Sequence, residues 1–251
     1  MKKIIAFVLV AAMAIAAFGC AKKEPADIFA KSEGVLSYAE YAAAEDGTDV
    51  TIEAFVQALA YAPAYGNASM FLADKDGGYY VYRMPCTDAD AAKLVPGAKV
   101  QIKGQKTTWS GESEIAEGTA TYQIMEGNYI APALDVTSMI DAEDELIQHM
   151  NQRISIKGVE VAASPLEGDE TEYAFWYGWE NTGEPGADLY FNVAVDGIPY
   201  NVVIETDECD KDTDVYKAGE ALKIGDKVDL EGFLYWYNGA NPHITSIKKV
   251  G

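Results

Sequence analysis

The chain has 251 residues and a formal net charge of −21 at pH 7, from 40 acidic against 19 basic side chains. A surface this negative repels phosphate backbones, whose binding rests mainly on lysine and arginine, so the composition predicts no nucleic-acid partner. The length is enough for one large domain or for two ordinary ones.

The N-terminus has the layout of a secretory signal that ends at a cysteine. A positive start, an apolar run over residues 4–18 and Gly19 lead directly to Cys20. That run is shorter than the roughly 20 residues of a spanning helix, which argues against the alternative of a transmembrane anchor. Residues 17–20 resemble the lipobox of bacterial lipoproteins, although Ala17 stands where that pattern has Leu. We therefore expect export, lipidation at Cys20, and a membrane partner through the lipid, at the cell membrane or the outer membrane.

In the first half of the remaining chain, apolar and polar residues alternate, and this pattern predicts strands around one short helix. A polar tether and a helix ending near Gly47 come first, and the later elements follow in the order strand, strand, strand, helix, strand, strand. The bend at Asp76-Gly77 is expected to use positive φ angles, as tight hairpins do. The elements are predicted as a strand at residues 50–61, a hairpin at 70–83, a helix within 86–97 and a hairpin within 98–115.

The same order of elements returns after residue 152. It comprises a strand at residues 154–164, an inserted aromatic strand at 172–179, a hairpin at 190–203, a helix at 212–222 and a hairpin within 224–250. Glycines and alternating apolar residues at 94–104 recur at 222–232, with the turns at 109–111 and 237–239 in the same ungapped register. One domain design therefore occurs twice, with a helix predicted over residues 138–152 between the copies.

Strand order, helix position and the repeated pattern LxxGxxVxIxG resemble the OB-fold, a small five-stranded barrel. The predicted fold is mainly β with short helices, as two tandem OB-fold-like barrels joined by a helix. The whole chain also resembles the tandem OB-like lipoproteins of anaerobic and gut bacteria, which implies a fold but no activity. The predicted segments are the signal at residues 1–20, the tether and N-terminal helix at 21–48, the first barrel at 49–135, the helical spacer at 136–152 and the second barrel at 153–251.

Two aromatic segments, AFWYGW and FLYWYNG, are the main candidates for ligand binding. One set of rings must fill a barrel, and the other either forms an exposed platform that stacks sugars or apolar side chains, or packs between the domains. The candidate residues are Trp176, Trp179, Tyr235, Trp236 and Tyr237, with Trp109 as a counterpart in the first domain.

The segment DECDKDTD places Asp210, Asp212 and Asp214 in alternation, as the early ligands of a calcium loop are. Val215 stands where an EF-hand needs Gly and Ala221 where it needs Glu, so a calcium site here would need ligands from elsewhere. The alternative is an acidic loop that caps the following helix. The sequence indicates no other cofactor.

The sequence lacks the side-chain arrangements that are typical of catalytic sites. His149 and His243 are the only histidines and are expected to be structural. Glu112 and Glu114 could serve as the acid and base of a glycosidase, but in a chain this rich in carboxylates they are expected to be solvated surface. No nucleophile, phosphate-loop or dinucleotide motif occurs, so we predict that the protein is not an enzyme.

Apart from Cys20, the cysteines are Cys86 and Cys209, which occupy matching places in the two repeats. An oxidising envelope permits a disulfide. Matching places in separate domains put the residues at separate poles, so two separate thiols are favoured.

The predicted function is binding or assembly at the cell envelope, through protein contacts of the two barrels. The alternative is a lipoprotein that binds a glycan or another small ligand on the aromatic residues of the second domain. An envelope protein or a glycan is therefore the expected partner besides the membrane.

Overall fold

The computed structural model describes residues 27–250. The predicted signal, Cys20 and the start of the tether lie outside the described residues. Within residues 27–250, no helix combines the length and the apolar character that crossing a membrane requires.

The first barrel closes with the strand order β1-β2-β3-β5-β4, in which β4 pairs back with β1. A short helix, α2 (Asp88–Ala91), begins at the capping box of Thr87 and lies between the third and fourth strands, and α1 (Tyr38–Ala43) precedes the barrel. The strands are β1 (Asp49–Ala62), β2 (Asn67–Ala73), β3 (Gly78–Pro85), β4 (Ala98–Trp109), β5 (Glu112–Ile115) and β6 (Thr121–Asn128), the last paired with β4.

The second barrel repeats this topology, with the order β8-β12-β13-β11-β10 and closure between β8 and β10. Here α4 (Asp214–Glu220) occupies the place of α2, and β13 occupies the place of β5 and β6 together. The strands are β7 (Leu134–Asp135), β8 (Arg153–Ala162), β9 (Trp176–Tyr177), β10 (Leu189–Val195), β11 (Ile198–Ile204), β12 (Lys227–Trp236) and β13 (Ala240–Lys249). This architecture confirms the predicted fold class of two five-stranded OB-like barrels. Strand β7 pairs with β8 in the second sheet, although the predicted boundary places it in the first barrel.

Each barrel has a hydrophobic core of its own. Ile52, Leu72 and Ile102 are fully buried in the first. Phe191 and Leu230 are fully buried in the second. Burying one such side chain contributes roughly 1.5–3 kcal/mol, so inward-facing residues of this kind stabilise each barrel from within.

The connection between the barrels is not the single helix predicted over residues 138–152. Two 3₁₀ turns, Thr137–Met139 and Ile147–His149, flank the four-residue α3 (Glu143–Leu146). Helices this short depend on tertiary contacts, and here Ile140 and Leu146 pack into the core of the second barrel. A continuous helix would also have stacked the like charges of Asp141 and Glu145 one turn apart.

The hairpins at residues 70–83 and 190–203 look alike in sequence but turn differently. Asp196 and Gly197 have φ angles of 51° and 81°, as a two-residue turn requires. Gly77 and Gly78 do not have positive φ, so that prediction is wrong for the first hairpin. Close approach explains the glycines instead, because a Cβ on Gly78 would lie 2.4 Å from the backbone carbon of Asn151.

Candidate functional site

The two barrels meet through the outer face of β2 and β3. The rings of Phe71 on β2 and Phe233 on β12 stack with centroids 4.4 Å apart and planes 7° apart. Tyr80 and Tyr235 continue this contact edge to face at 5.3 Å. OB-folds bind ligands on strands 2 and 3 and on the loops beside them. In the first barrel that face is therefore covered in part by the second barrel.

Glu112 lies in the same interface and is 0% exposed, which corrects the prediction that it belongs to the solvated surface. Its carboxylate accepts hydrogen bonds from the Asn151 side-chain amide at 2.6 Å and from the backbone N–H of Trp236 at 2.9 Å. Burial raises the pKa of Glu112 to about 8. Glu114 is 4% exposed, and burial raises its pKa to about 7. The packing of two barrels, and not the strand pattern, takes these carboxyl groups out of water.

Three of the six aromatic candidates do not lie on an open platform. Trp236 is 4% exposed and lies so close to Gly111 that a Cβ there would come within 2.7 Å of its ring. Trp176 is 7% exposed, and its indole N–H donates to the carbonyl of Ser164 at 2.9 Å. Tyr235 is partly buried against Tyr80 and His243. The prediction that these three residues form an exposed platform for stacking a ligand is therefore wrong. The inter-barrel contact and the inserted loop cover their rings.

The other three aromatic candidates are exposed, namely Trp179 at 54%, Tyr237 at 53% and Trp109 at 60%. Trp179 and Tyr237 line one groove in the second barrel, whereas Trp109 does not line it. The groove has a volume of about 680 Å³. Its lining residues are Trp179, Tyr190, Asn201, Tyr237, Asn238, Ala240 and Asn241.

The position of this groove follows from the barrel topology. Tyr190 lies on the second barrel strand and Asn201 on the third, and both alternate with core residues, so they face outward. Trp179 comes from the long insertion between the first and second barrel strands, and Tyr237 from the turn between the fourth and fifth. These are the strands and loops through which OB-folds bind oligonucleotides and oligosaccharides.

Buried Trp176 helps to hold Trp179 in place. The two indole rings meet edge to face at 6.0 Å, and Trp179 meets Tyr190 in the same way at 5.5 Å. Trp179 begins a tight 3₁₀ turn in which Glu180 and Asn181 both have positive φ. Such backbone conformations are uncommon outside glycine, so the turn that presents Trp179 is tightly specified by its surroundings.

Sequence reasoning missed the polar side of the groove. Asn201, Asn238 and Asn241 supply amide groups there, and the Asn201 amide nitrogen donates to the Asn192 side chain at 3.0 Å. Alternation in the hairpin at residues 190–203 would have placed Tyr190 and Asn201 on its outer face. No sequence signal joined them to the turn at Asn238.

The acidic loop does not gather its carboxylates. Asp210 accepts a hydrogen bond from the backbone N–H of Asp212 at 2.9 Å, and Asp212 pairs with Lys211. Asp214 is the first residue of α4, whose N-cap is Thr213. In the part of the chain that the structure describes, no group of three or more His, Cys, Asp or Glu side chains is arranged to hold a metal ion.

Cys86 and Cys209 are both free and buried. Burial raises the pKa of both thiols, that of Cys209 to about 12. Two protonated, separate thiols are in line with the sequence prediction.

No protein-family model and no curated protein matches the chain. It is similar in fold to the p204 HINb domain, at 12% identity over 82% of this chain and 100% of that one, with a TM-score of 0.36. A murine DNA binding protein bound with ds DNA has 10% identity over 80% and 96% of the two chains, with a TM-score of 0.35. The Ifi202 HINa domain in complex with 20bp dsDNA has 16% identity over 80% and 98%, with a TM-score of 0.34.

Two of these solved structures contain double-stranded DNA, which contradicts the prediction of no nucleic-acid partner. That prediction rested on net charge alone. The charge of a whole chain does not fix the local field at one binding face, and the exclusion is withdrawn.

Proposed function

We propose that the protein is an exported, lipid-anchored binding protein of the cell envelope, whose second barrel holds an oligosaccharide. One observation carries the proposal. The groove at the ligand-binding position of the second barrel is lined by three aromatic rings and three asparagine amides, without a charged side chain, in a chain with 24% charged residues.

This lining suits a neutral ligand rich in hydroxyl groups. Sugar rings present apolar C–H faces that stack on aromatic side chains, and Trp179 and Tyr237 expose more than half of their surface for such contacts. Asparagine amides both donate and accept hydrogen bonds, as sugar hydroxyls do. A volume of about 680 Å³ is within the range of small-ligand sites. Among the described residues that line the groove there is no histidine, cysteine, lysine or carboxylate, which supports binding without catalysis.

The anchoring part of the proposal rests on the sequence of residues 4–20, in which an apolar run leads to Gly19 and Cys20. Protein assembly is the second candidate function. The exposed rings of Trp179 and Tyr237 favour it, because a partner protein that covered them would remove apolar surface from water.

The test is a titration of the purified protein with short gluco-, manno-, xylo- and chito-oligosaccharides, followed by calorimetry. Trp179→Ala and Tyr237→Ala are each expected to weaken binding by about tenfold or more, as the loss of a stacking contact does. Trp109→Ala is the matched control, because it removes an equally exposed ring outside the groove.

A single-stranded oligonucleotide is titrated in parallel, since nucleobases also stack on aromatic rings. Oligonucleotide binding that Trp179→Ala abolishes, with no response to any glycan, would replace the sugar by nucleic acid. Silence in every titration, or equal glycan binding by all variants, would overturn the proposal.

A further inference from the structure

A second cavity, of about 350 Å³, lies between the two barrels and is separate from the groove. Its walls carry four tyrosine rings and four carboxyl groups, with Arg83 and His243 as the basic residues. Tyr80 and Tyr82 come from β3 of the first barrel. Glu205 and Glu208 follow β11 of the second barrel, and His243 lies on β13. Neither barrel alone forms this cavity.

Among residues 27–250, two buried polar atoms in the cavity wall find no hydrogen-bond partner, namely Oε2 of Glu208 and Nε2 of His243. Their side chains are only 7% and 6% exposed. The other atoms of the pair are matched, because Nδ1 of His243 lies 2.8 Å from Oε1 of Glu208. Nε2 of His243 lies 3.9 Å from Oε1 of Glu205, so a proton on Nε2 faces that carboxylate. Oε2 of an ionised Glu208 can only accept, and a buried acceptor without a donor is costly.

The charges around the cavity favour a cation. Burial opposes protonation of His243, yet Glu208 and then Glu205 raise the pKa of its imidazole above the ordinary value. Burial also raises the pKa of Glu205 to about 7, with the nearby Asp188 and Glu208 acting in the same direction. The Arg83 guanidinium, which lies 3.8 Å from Glu117 and 4.9 Å from the centre of the Tyr82 ring, is one of two basic side chains against four acidic ones in the cavity wall.

We infer that this cavity binds a small organic cation that carries primary ammonium groups, such as an aliphatic diamine. An ammonium group supplies the donor that Oε2 of Glu208 lacks, and the tyrosine rings cover its methylene chain and attract its charge. A quaternary ammonium has no N–H donor for this oxygen. A bare metal ion is disfavoured because, among residues 27–250, acidic and imidazole groups do not converge as a ligand set.

Such a ligand would contact both barrels at once. Its ammonium group would lie on Glu208 of the second barrel, while its chain would lie on Tyr80 and Tyr82 of the first. Binding is therefore expected to stabilise the contact between the barrels. The inference does not depend on the proposed glycan groove, which has different walls.

The experiment is calorimetric titration of the purified protein with 1,4-diaminobutane at physiological salt, where binding to surface charge is screened. We expect saturable binding of one molecule per chain, weakened about tenfold or more by Glu208→Gln. Tyr82→Leu, at the edge of the cavity, is expected to weaken it severalfold, and it tests the inference if Glu208→Gln does not fold. The matched control is Glu172→Gln, which removes an exposed carboxylate elsewhere.

Absence of binding, or equal binding by wild type, Glu208→Gln and Tyr82→Leu, would overturn the inference. Equal weakening by Glu172→Gln would reduce the effect to general surface charge and would also overturn it. Tetramethylammonium that binds as tightly as the diamine would refute the role of the unmatched oxygen of Glu208.

Discussion

Replacing Glu112 by glutamine is expected to flatten the pH dependence of stability. The carboxyl group is fully buried between the barrels, where one oxygen accepts from Asn151 and the other from the backbone of Trp236. Glutamine keeps the shape without the charge. Its oxygen accepts from Trp236, and a flipped Asn151 amide offers its oxygen to the new NH₂ group but loses its hydrogen bond to the Ser113 carbonyl.

The sign and size of the effect follow from the raised pKa of Glu112. Below its ordinary value of 4.5 the group is protonated in both the folded and the unfolded chain. Between 4.5 and about 8 only the folded chain keeps the proton, so the free energy of unfolding falls as pH rises. Each pKa unit corresponds to about 1.4 kcal/mol, which gives a loss of about 5 kcal/mol by pH 9 for this group alone.

The assay is urea denaturation at a series of pH values from 5 to 9, followed by tryptophan fluorescence. Glu112→Gln should lie within about 1.5 kcal/mol of wild type at pH 5 and should gain up to about 5 kcal/mol relative to wild type between pH 5 and pH 9. The variant keeps part of the slope, because burial also raises the pKa values of Glu114 and Glu205 to about 7. Glu126→Gln, at an exposed site on β6, is the control and should follow wild type. A variant with the wild-type slope would refute the reasoning.

Three further changes test other contacts. Phe233→Ala should lower the free energy of unfolding by about 3–5 kcal/mol, because it removes the stacked ring between the barrels. The control Tyr237→Ala removes an exposed ring and should lower it by under about 1 kcal/mol. Urea denaturation measures both values. Gly78→Ala should cost about 1–3 kcal/mol, because its Cβ would meet the backbone of Asn151, and unchanged stability would contradict that close approach. Cys20→Ala should leave the protein unlipidated and released from the membrane fraction, and unchanged partition into detergent would count against the anchor.

The fold could be predicted because the same sequence pattern occurs twice in the chain. Strand alternation and the glycines at residues 94–104 and 222–232 are local signals, and their recurrence in one register fixed the order of the elements. Local signals gave the wrong secondary structure where tertiary contacts determine it. Residues 138–152 do not form one helix, because their apolar side chains pack into the core of the second barrel.

The site was harder to predict because alternation gives the face of a strand and not what covers that face. Glu112 and Trp236 read as an exposed carboxylate and a platform ring, yet each is buried by the other barrel. Trp179 and Tyr237, two of the candidates from the sequence, are exposed, since their loop and turn lie outside that contact. Glu208 and His243 carried no signal, because their partnership joins segments that are far apart along the chain.

The duplication gives the chain two equivalent OB faces, and the structure uses them differently. In the first barrel the connection before β2 is short, residues 63–66, and Phe233 and Tyr235 pack on the face of β2 and β3. In the second barrel the corresponding connection spans residues 163–188. It includes β9, which pairs with β10, and it carries Trp179. Trp179 lines an open groove there. The equivalent faces of the two barrels thus differ: the face in the first barrel packs on the second barrel, and the face in the second barrel, beside the longer connection, lies open.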